Sequence, residues 1–482
     1  MNRKMVISTV GKLSQIEAVL LILPLAVSLC YKEYGIALGY LITAAIAAVT
    51  GVLMCTFAKP QNDVIFAKEG FVIVASVWLW ASLIGALPFV ITGEIPNYID
   101  AFFETVSGFT TTGSSILTDV EALSHGNLFW RSFTHWIGGM GILVFVMAIL
   151  PNVSDRSIHI LKAEVPGPVV GKIVPRIKDT AKILYFIYLG FTVAETVLLY
   201  IGGMNLFESA VHAFGTAGTG GFGIKADSIG SYSPYLQWVI AIFMILFGIN
   251  FNLYYLLLVR KVKSVLKSTE LWLYIGIITL SSAIISVNIF DRFNNISDTV
   301  RTSVFQVATV ITTTGYATDD FNLWPGLSKM ILFMLMFLGA CAGSTGGGFK
   351  ISRAAIVFKN IGKEFKKLLH PRSVNTVHFE GRAVEDETAK SAMVYFAIYM
   401  VCILATFMLI SFEPFGFETN FTASVACFNN IGPGFGAVGP TGSFAGYTLF
   451  SKIVLSFAML MGRLEIFPIL LFFTPATWTK KG

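Results

Sequence analysis

The sequence predicts an all-α integral membrane protein. Its expected architecture is four parallel helix–pore loop–helix units in pseudo-fourfold array around a central pore, preceded by an N-terminal two-helix hairpin, with ten transmembrane helices in all. Three observations predict it. Of 482 residues, 55% are hydrophobic and only 13% charged, with mean hydropathy +0.73, against roughly 25% charged in a soluble domain. Several apolar runs reach the ~20 residues that cross hydrocarbon as a helix. A short glycine-centred pattern recurs four times, and internal repetition decides architecture ahead of any local motif.

The apolar runs lie near 14–31, 35–57, 69–92, 128–151, 181–203, 236–259, 270–290, 327–358, 391–412 and 447–474. With the N-terminus in the cytoplasm, the inside connections collect Lys59 and Lys68, then Arg156, Lys162, Lys172, Arg176, Lys178 and Lys182, then Arg260, Lys261, Lys263 and Lys267, then the basic residues from Lys350 to Lys390. No Lys or Arg lies between Thr92 and Trp130 or between Phe412 and Ser451. The positive-inside rule therefore places both termini in the cytoplasm. The outside connections carry Glu94, Asp100, Glu104, Asp119, Glu121, Glu208, Asp227, Asp298, Asp319, Asp320, Glu413 and Glu418. Such acids either concentrate cations at an external mouth or are simply a solvated surface.

Other classes are excluded. Cys30, Cys55, Cys341, Cys402 and Cys427 are scattered and mostly inside apolar runs, and the six histidines fall in no metal-binding spacing. The net charge of +6 follows membrane sidedness, so nucleic acid is not implied. No convergent catalytic set marks an enzyme, and no cofactor is expected in the chain itself. The basic N-terminus lacks the cleavage site of a signal peptide and is read as mature sequence.

The four loop sequences are AFFETVSGFTTTGSS from Ala101, LFESAVHAFGTAGTGGFG from Leu206, TSVFQVATVITTTGYATDDF from Thr302 and TASVACFNNIGPGFG from Thr422. Aligning Gly113, Gly220, Gly315 and Gly432 puts their centres 107, 95 and 117 residues apart. Each apolar stretch before the glycine is too short to span a bilayer and long enough to enter and turn back. Non-helical backbone at membrane depth persists only in protein or around a water-filled cavity, so four such segments imply a pore. Glycine permits the backbone angles of a carbonyl-lined filter, and carbonyls can replace the hydration shell of a monovalent cation. The expected filter is Thr111, Thr112, Gly113; Gly218, Thr219, Gly220; Thr313, Thr314, Gly315; and Asn430, Ile431, Gly432. The competing plain reading takes such turns as extracellular connectors, but four in register outweigh it.

Within the run 327–358, GACAGSTGGGFK interrupts the helix, because consecutive glycines at ~1 kcal/mol each cannot stay helical. A gate is expected here from Gly343, Ser344, Thr345, Gly346, Gly347 and Gly348. The run brushes against the phosphate-binding GxxxxGK[ST] pattern but carries Phe349 where lysine is required. Arg463 lies inside the last apolar run, where a charge costs ~2.5–3.5 kcal/mol and faces a cavity or partner by default. Snorkelling, or pairing with Glu465, is the structural alternative. Glu195 is a lone intramembrane acid of open role. The basic inside stretches suit anionic lipid headgroups.

These patterns, together with LKAEVPGPVVGKIVPRIKDTAKIL and GRLEIFP, resemble the Trk/Ktr/HKT superfamily of potassium transporters over nearly the whole chain, most nearly the TrkH-type membrane subunit of bacterial Trk systems. The resemblance implies potassium uptake across a bacterial inner membrane, gated by the glycine-rich loop. It also implies an arginine facing the pore at Arg463, a homodimer, and a cytosolic TrkA-type regulatory subunit through which nucleotide acts. In that family glycine at all four centres goes with potassium, and serine at the first with sodium in some plant members; Gly113 implies potassium. The residues alone say only monovalent cation, with a sodium-permeable relative or a secondary transporter of another solute as the other readings. The implied division is a hairpin at 1–60 and units at 61–155, 156–265, 266–370 and 371–482.

Overall fold

The computed structural model describes residues 1–59, 67–141, 177–373 and 375–479. Among these the protein is helical, save for a two-rung ladder pairing His378–Phe379 with Arg382–Ala383. The basic stretch from Arg156 to Arg176, and the far part of the run expected at 128–151, lie outside the described residues.

Six elements are long and apolar enough to cross a membrane unbroken: Arg3–Cys30, Tyr34–Phe57, Lys68–Ile91, Ala181–Ile201, Thr269–Asn288 and Asp386–Ile410. They comprise α1 (Arg3–Leu20) with α2 (Ile22–Cys30), α3 (Tyr34–Phe57), α4 (Ala67–Gly85) with α5 (Leu87–Ile91), α8 (Ile177–Ile201), α12 (Thr269–Asn288) and α16 (Asp386–Ile410). Large apolar side chains such as Val19, Leu41, Val287 and Met408 are exposed along them, as expected where lipid is the solvent. The expected start of the first crossing near residue 14 gives way to a helix from Arg3, because Asn2 caps it by accepting from the Met5 N–H.

Four shorter helices turn inward. They are α6 (Tyr98–Phe109), α9 (Leu206–Gly218), α13 (Ile296–Ile311) and α17 (Phe417–Phe428). Asn97, Asn205 and Asn295 cap three of them, and an acid (Asp100, Glu208, Asp298 or Glu418) stands in the first turn of all four with no base in the last. Acids at the positive end and none of their counter-ions at the negative end leave the C-terminal partial charges free to act on the centre of the bundle.

The remaining four expected crossings are interrupted. In the first, α7 (His125–Gly139) ends at Gly138-Gly139-Met140, and Gly141 has φ +85°. In the second, α10 (Pro234–Phe247) and α11 (Phe251–Leu258) meet at 90°. In the third, α14 (Gly326–Met336) stops and α15 (Ile351–Leu369) resumes only after the glycine-rich segment. In the fourth, α18 (Leu449–Arg463) and α19 (Phe467–Phe473) are separated by Glu465 and Ile466, both with positive φ. Besides the expected break in 327–358, two further runs, 236–259 and 447–474, are broken, and within 128–151 the helix ends at Gly139 among the described residues. Glycines account for the first three. A β-branched residue at φ +69° in the fourth is strained and has to be held by its surroundings.

The N-terminal hairpin packs against α4. Its helices cross closely because both meet at glycine: a Cβ at Gly51 would lie 2.7 Å from the Gly11 carbonyl oxygen, and one at Gly11 would lie 2.9 Å from the Gly51 oxygen. This is the small-residue contact by which helices associate in lipid. Gly51→Val should overpack the crossing by about 1–3 kcal/mol and lower the thermal midpoint of the purified protein by several degrees. Gly276→Val, where nothing lies within 4 Å, should leave that midpoint in place.

Candidate functional site

The four inward helices end in one backbone motif. The residue at the cap of the second helix, and the one after the cap of the other three, is left-handed: Thr111 at φ 54°, Thr219 at 55°, Thr313 at 58° and Asn430 at 56°. The next N–H reaches back five residues, from Thr112 to the Ser107 oxygen at 2.9 Å, Gly220 to Gly215 at 2.8 Å, Thr314 to Thr309 at 2.8 Å and Ile431 to Ala426 at 2.9 Å. Glycine then follows at positive φ: Gly113 at 82°, Gly221 at 73°, Gly315 at 89° and Gly432 at 99°. This is the Schellman helix ending with Thr or Asn where glycine is usual. The second loop is thus in register one residue later than the sequence alignment put it, with Gly221 rather than Gly220 matching Gly113. Gly220 is small for another reason, since a Cβ there would strike the His135 ring.

The glycines pack on carbonyls in cyclic order. A side chain at Gly113 would meet the Gly220 oxygen, one at Gly221 the Thr314 oxygen, one at Gly315 the Ile431 oxygen, and one at Gly432 the Thr112 oxygen at 2.8 Å. Each loop leans on the residue before the next loop's glycine, and the fourth leans on the first. Four separate contacts close one ring of backbone carbonyls. In the first and third loops the Thr110 and Thr112 hydroxyls pair at 2.8 Å, as do those of Thr312 and Thr314.

Beneath this ring the segment 337–350 folds back on itself, its Gly339 N–H bonding the Phe349 oxygen at 2.8 Å. Gly343 and Gly348 take positive φ. The Gly347 N–H donates to Thr313 Oγ1 at 2.7 Å, tying the segment to the third loop. Glu270 Oε1 accepts from the Ala342 N–H at 2.8 Å and the Ser352 N–H at 3.1 Å, and buried Lys350 donates to the Gly346 oxygen. The neighbouring bend between α10 and α11 is held by the same segment, through Phe251 N–H to the Gly343 oxygen at 3.0 Å and Cys341 N–H to the Gly248 oxygen at 3.1 Å. Arg463 reaches across from the fourth break. Its guanidinium donates to the Thr345 oxygen at 2.7 Å, to the Gly139 oxygen at 2.8 Å and to the Gly138 oxygen. Glu465 pairs with Arg353, not with Arg463, among the described ion pairs.

The profile of the family described as "Cation transport protein", TrkH, matches residues 36–480. The chain belongs to the TrkH family. It is 35% identical over the full length of both chains to the Trk system potassium uptake protein TrkH of Salmonella typhimurium. To the Trk system potassium uptake protein TrkG of Escherichia coli it is 32% identical over 94% of each. The crystal structure of the potassium transporter TrkH from Vibrio parahaemolyticus superposes with TM-score 0.88 at 30% identity, covering 99% of this chain and 100% of that one. The family is one of transporters, not enzymes, and its members' apolar helices place this chain in a membrane.

In this TrkH-family chain the predicted loop residues Thr111 to Gly113, Gly218 to Gly220, Thr313 to Gly315 and Asn430 to Gly432 come together, and Gly343 to Gly348 and Arg463 lie next to one another. Several of the acids expected at an external mouth are paired with bases. Glu104 is buried in a 2.6 Å pair with Arg131 and also accepts from the Ile116 N–H at 3.0 Å. Asp100 pairs with Lys452 at 2.7 Å, Asp298 with Arg301 at 2.7 Å and Asp319 with Arg292 at 3.0 Å. Glu195 is fully buried.

Two residues that sequence reasoning passed over bind the loops together. His135 on α7 donates from Nδ1 to the Gly108 oxygen at 2.7 Å, and its Nε2 accepts from the Phe222 N–H at 3.3 Å, so a neutral ring joins the first loop's helix to the second loop. Arg131, four residues earlier, donates to the Gly223 oxygen at 3.0 Å and lies 3.5 Å over the Phe222 ring. The spacing of four on one helix was the available signal. Arg131→Met should destabilise the fold by about 3–5 kcal/mol, the cost of leaving a buried partner charge alone. Thermal unfolding in detergent checks this, and Arg131→Met with Glu104→Leu should recover much of the loss.

Proposed function

We propose that this chain is the ion-conducting subunit of a potassium uptake system, passing dehydrated potassium through the ring made by Thr111 to Gly113, Thr219 to Gly221, Thr313 to Gly315 and Asn430 to Gly432, with Gly218 at the second loop's helix end. The cyclic glycine-on-carbonyl packing carries the reading. Carbonyls from four chain segments converge at the unneutralised ends of four helices, which supplies what a monovalent cation needs on losing its water. The names of the relatives support potassium as that ion.

Beneath the ring, Gly343, Ser344, Thr345, Gly346, Gly347, Gly348 and Arg463 form the gate in this reading. Arg463 ties three of the four helix breaks together and puts a cationic group on the ion's way out. The units at 61–155, 156–265, 266–370 and 371–482 follow the hairpin at 1–60, both termini are cytoplasmic, and the membrane is a bacterial inner membrane. Resemblance supports a homodimer and a cytosolic TrkA-type partner through which nucleotide acts.

Rubidium uptake into proteoliposomes, with sodium as competitor, tests the proposal. The unmodified protein should take up rubidium in preference to sodium; reconstituted protein that takes up neither, or prefers sodium, refutes the potassium assignment. Gly113→Ser and Gly221→Ser place a side chain at positive φ against a carbonyl, a strain of about 1–3 kcal/mol, and each should cut the rate about tenfold or more. Arg463→Ala should raise the initial rate several-fold by removing the charge and freeing Thr345. Gly346→Ala, whose Cβ would lie 3.0 Å from the Thr312 oxygen, should alter it as well. Unchanged flux in both would sink the gate.

A further inference from the structure

The four joints between a second helix and the next inward helix are not alike. Between α18 and α6, Lys452 pairs with Asp100 at 2.7 Å. Between α7 and α9, the Phe214 ring packs 5.5 Å from Phe133 and 5.7 Å from Phe129. Between α10 and α13, Arg301 donates to Gln237 at 2.8 Å. The fourth, between α14 and α17, is bridged by Phe333 packed 6.0 Å from Phe421, and beside that contact lies a slot of about 350 Å³.

Lys329 and Glu418 stand at the ends of the two helices that border this slot, and Phe333, Phe417, Phe421 and Phe435 line it. Lys329 holds the place on α14 that Lys452 holds on α18, fourth from the helix start in each. Where Lys452 finds Asp100, Lys329 donates, among the described residues, only to the Asn322 oxygen, at 3.0 Å, which leaves two of its three N–H groups for another acceptor. Glu418 has no ion-pair partner among the described residues. The slot opens onto exposed apolar surface, with Leu327 and Met334 each more than half exposed on α14, so it is reached from the lipid side. Its floor is Phe435, 3% exposed, whose N–H is held by Thr422 Oγ1 at 2.9 Å and which follows the fourth filter glycine by three residues.

We infer that this slot binds one zwitterionic aminophospholipid of the phosphatidylethanolamine type. The phosphate accepts from Lys329, the headgroup ammonium donates to Glu418, and an acyl chain lies along the four phenylalanines. A site with one charge of each sign beside an apolar slot matches a headgroup of both signs joined to a chain, and it disfavours a headgroup that is purely anionic, which Glu418 repels. A concavity of about 350 Å³ between two helices suits a chain rather than the broad helix face of a second copy. The bound lipid then braces Phe435 and, through it, the segment leaving the filter.

Native mass spectrometry of the full-length protein, titrated in detergent with phosphatidylethanolamine and phosphatidylglycerol of matched chains, tests this without reference to transport. One phosphatidylethanolamine adduct should dominate. Lys329→Gln and Glu418→Gln should each weaken it about tenfold, and Phe421→Trp, which fills the slot, should do the same while leaving both charges. Equal adducts in all four proteins, or phosphatidylglycerol binding as tightly as phosphatidylethanolamine, would overturn the site. Loss of a dimer mass rather than of lipid on Phe417→Glu would show a second copy on the slot and overturn it too.

Discussion

Everything in this fold depends on one constraint: carbonyl groups at membrane depth must be satisfied by protein or by a passing ion. At each inward helix end the Schellman bonds satisfy two carbonyls and turn the chain so that the next ones face inward. The left-handed Thr or Asn that makes this turn is strained, and the strain survives because the following glycine lets a neighbouring loop come within contact distance. The capped helix, the left-handed residue and the glycine are parts of one device. The breaks in the second helices complete it, because an unbroken helix would run through the space beneath the ring where the 337–350 segment and Arg463 sit.

That lower layer is held by buried side chains of its own stretch of chain and by Arg463 from the fourth break. Glu270 gathers both ends of the glycine-rich segment, Lys350 closes it from within, and the segment in turn fixes the bend after Phe247. Arg463 joins the third break to the first. Any rearrangement of one break therefore moves hydrogen bonds in at least one other, which is the kind of interlocked element through which a local change becomes a global one.

Much of this was legible from residue order. Four glycine centres, the inward stretches before them and the interruption at Gly343 to Gly348 follow from composition and spacing alone. The second loop was misregistered by one because GTGGFG offers two adjacent glycines, Gly220 and Gly221, and only the sign of φ separates the one that packs on a carbonyl from the one that packs on a ring. The break after Phe247 was hidden because FGIN reads as apolar, and the one after Arg463 because GRLEIFP has no glycine at its strained residues Glu465 and Ile466, which the contact with Arg353 holds. Glu104 looked like a solvated acid because nothing in sequence brings it to Arg131.

The carbonyl ring is cyclic in space yet is written by four different stretches of one gene. In a pore made of four identical chains, every substitution strikes all quarters at once. Here a substitution strikes one, and the other three keep their geometry. The ring can accordingly drift quarter by quarter, and its present inequality, Thr-Thr-Gly twice, Thr-Gly-Gly and Asn-Ile-Gly once each, is the mark of that freedom: three quarters can keep the ring closed while the fourth acquires a task of its own.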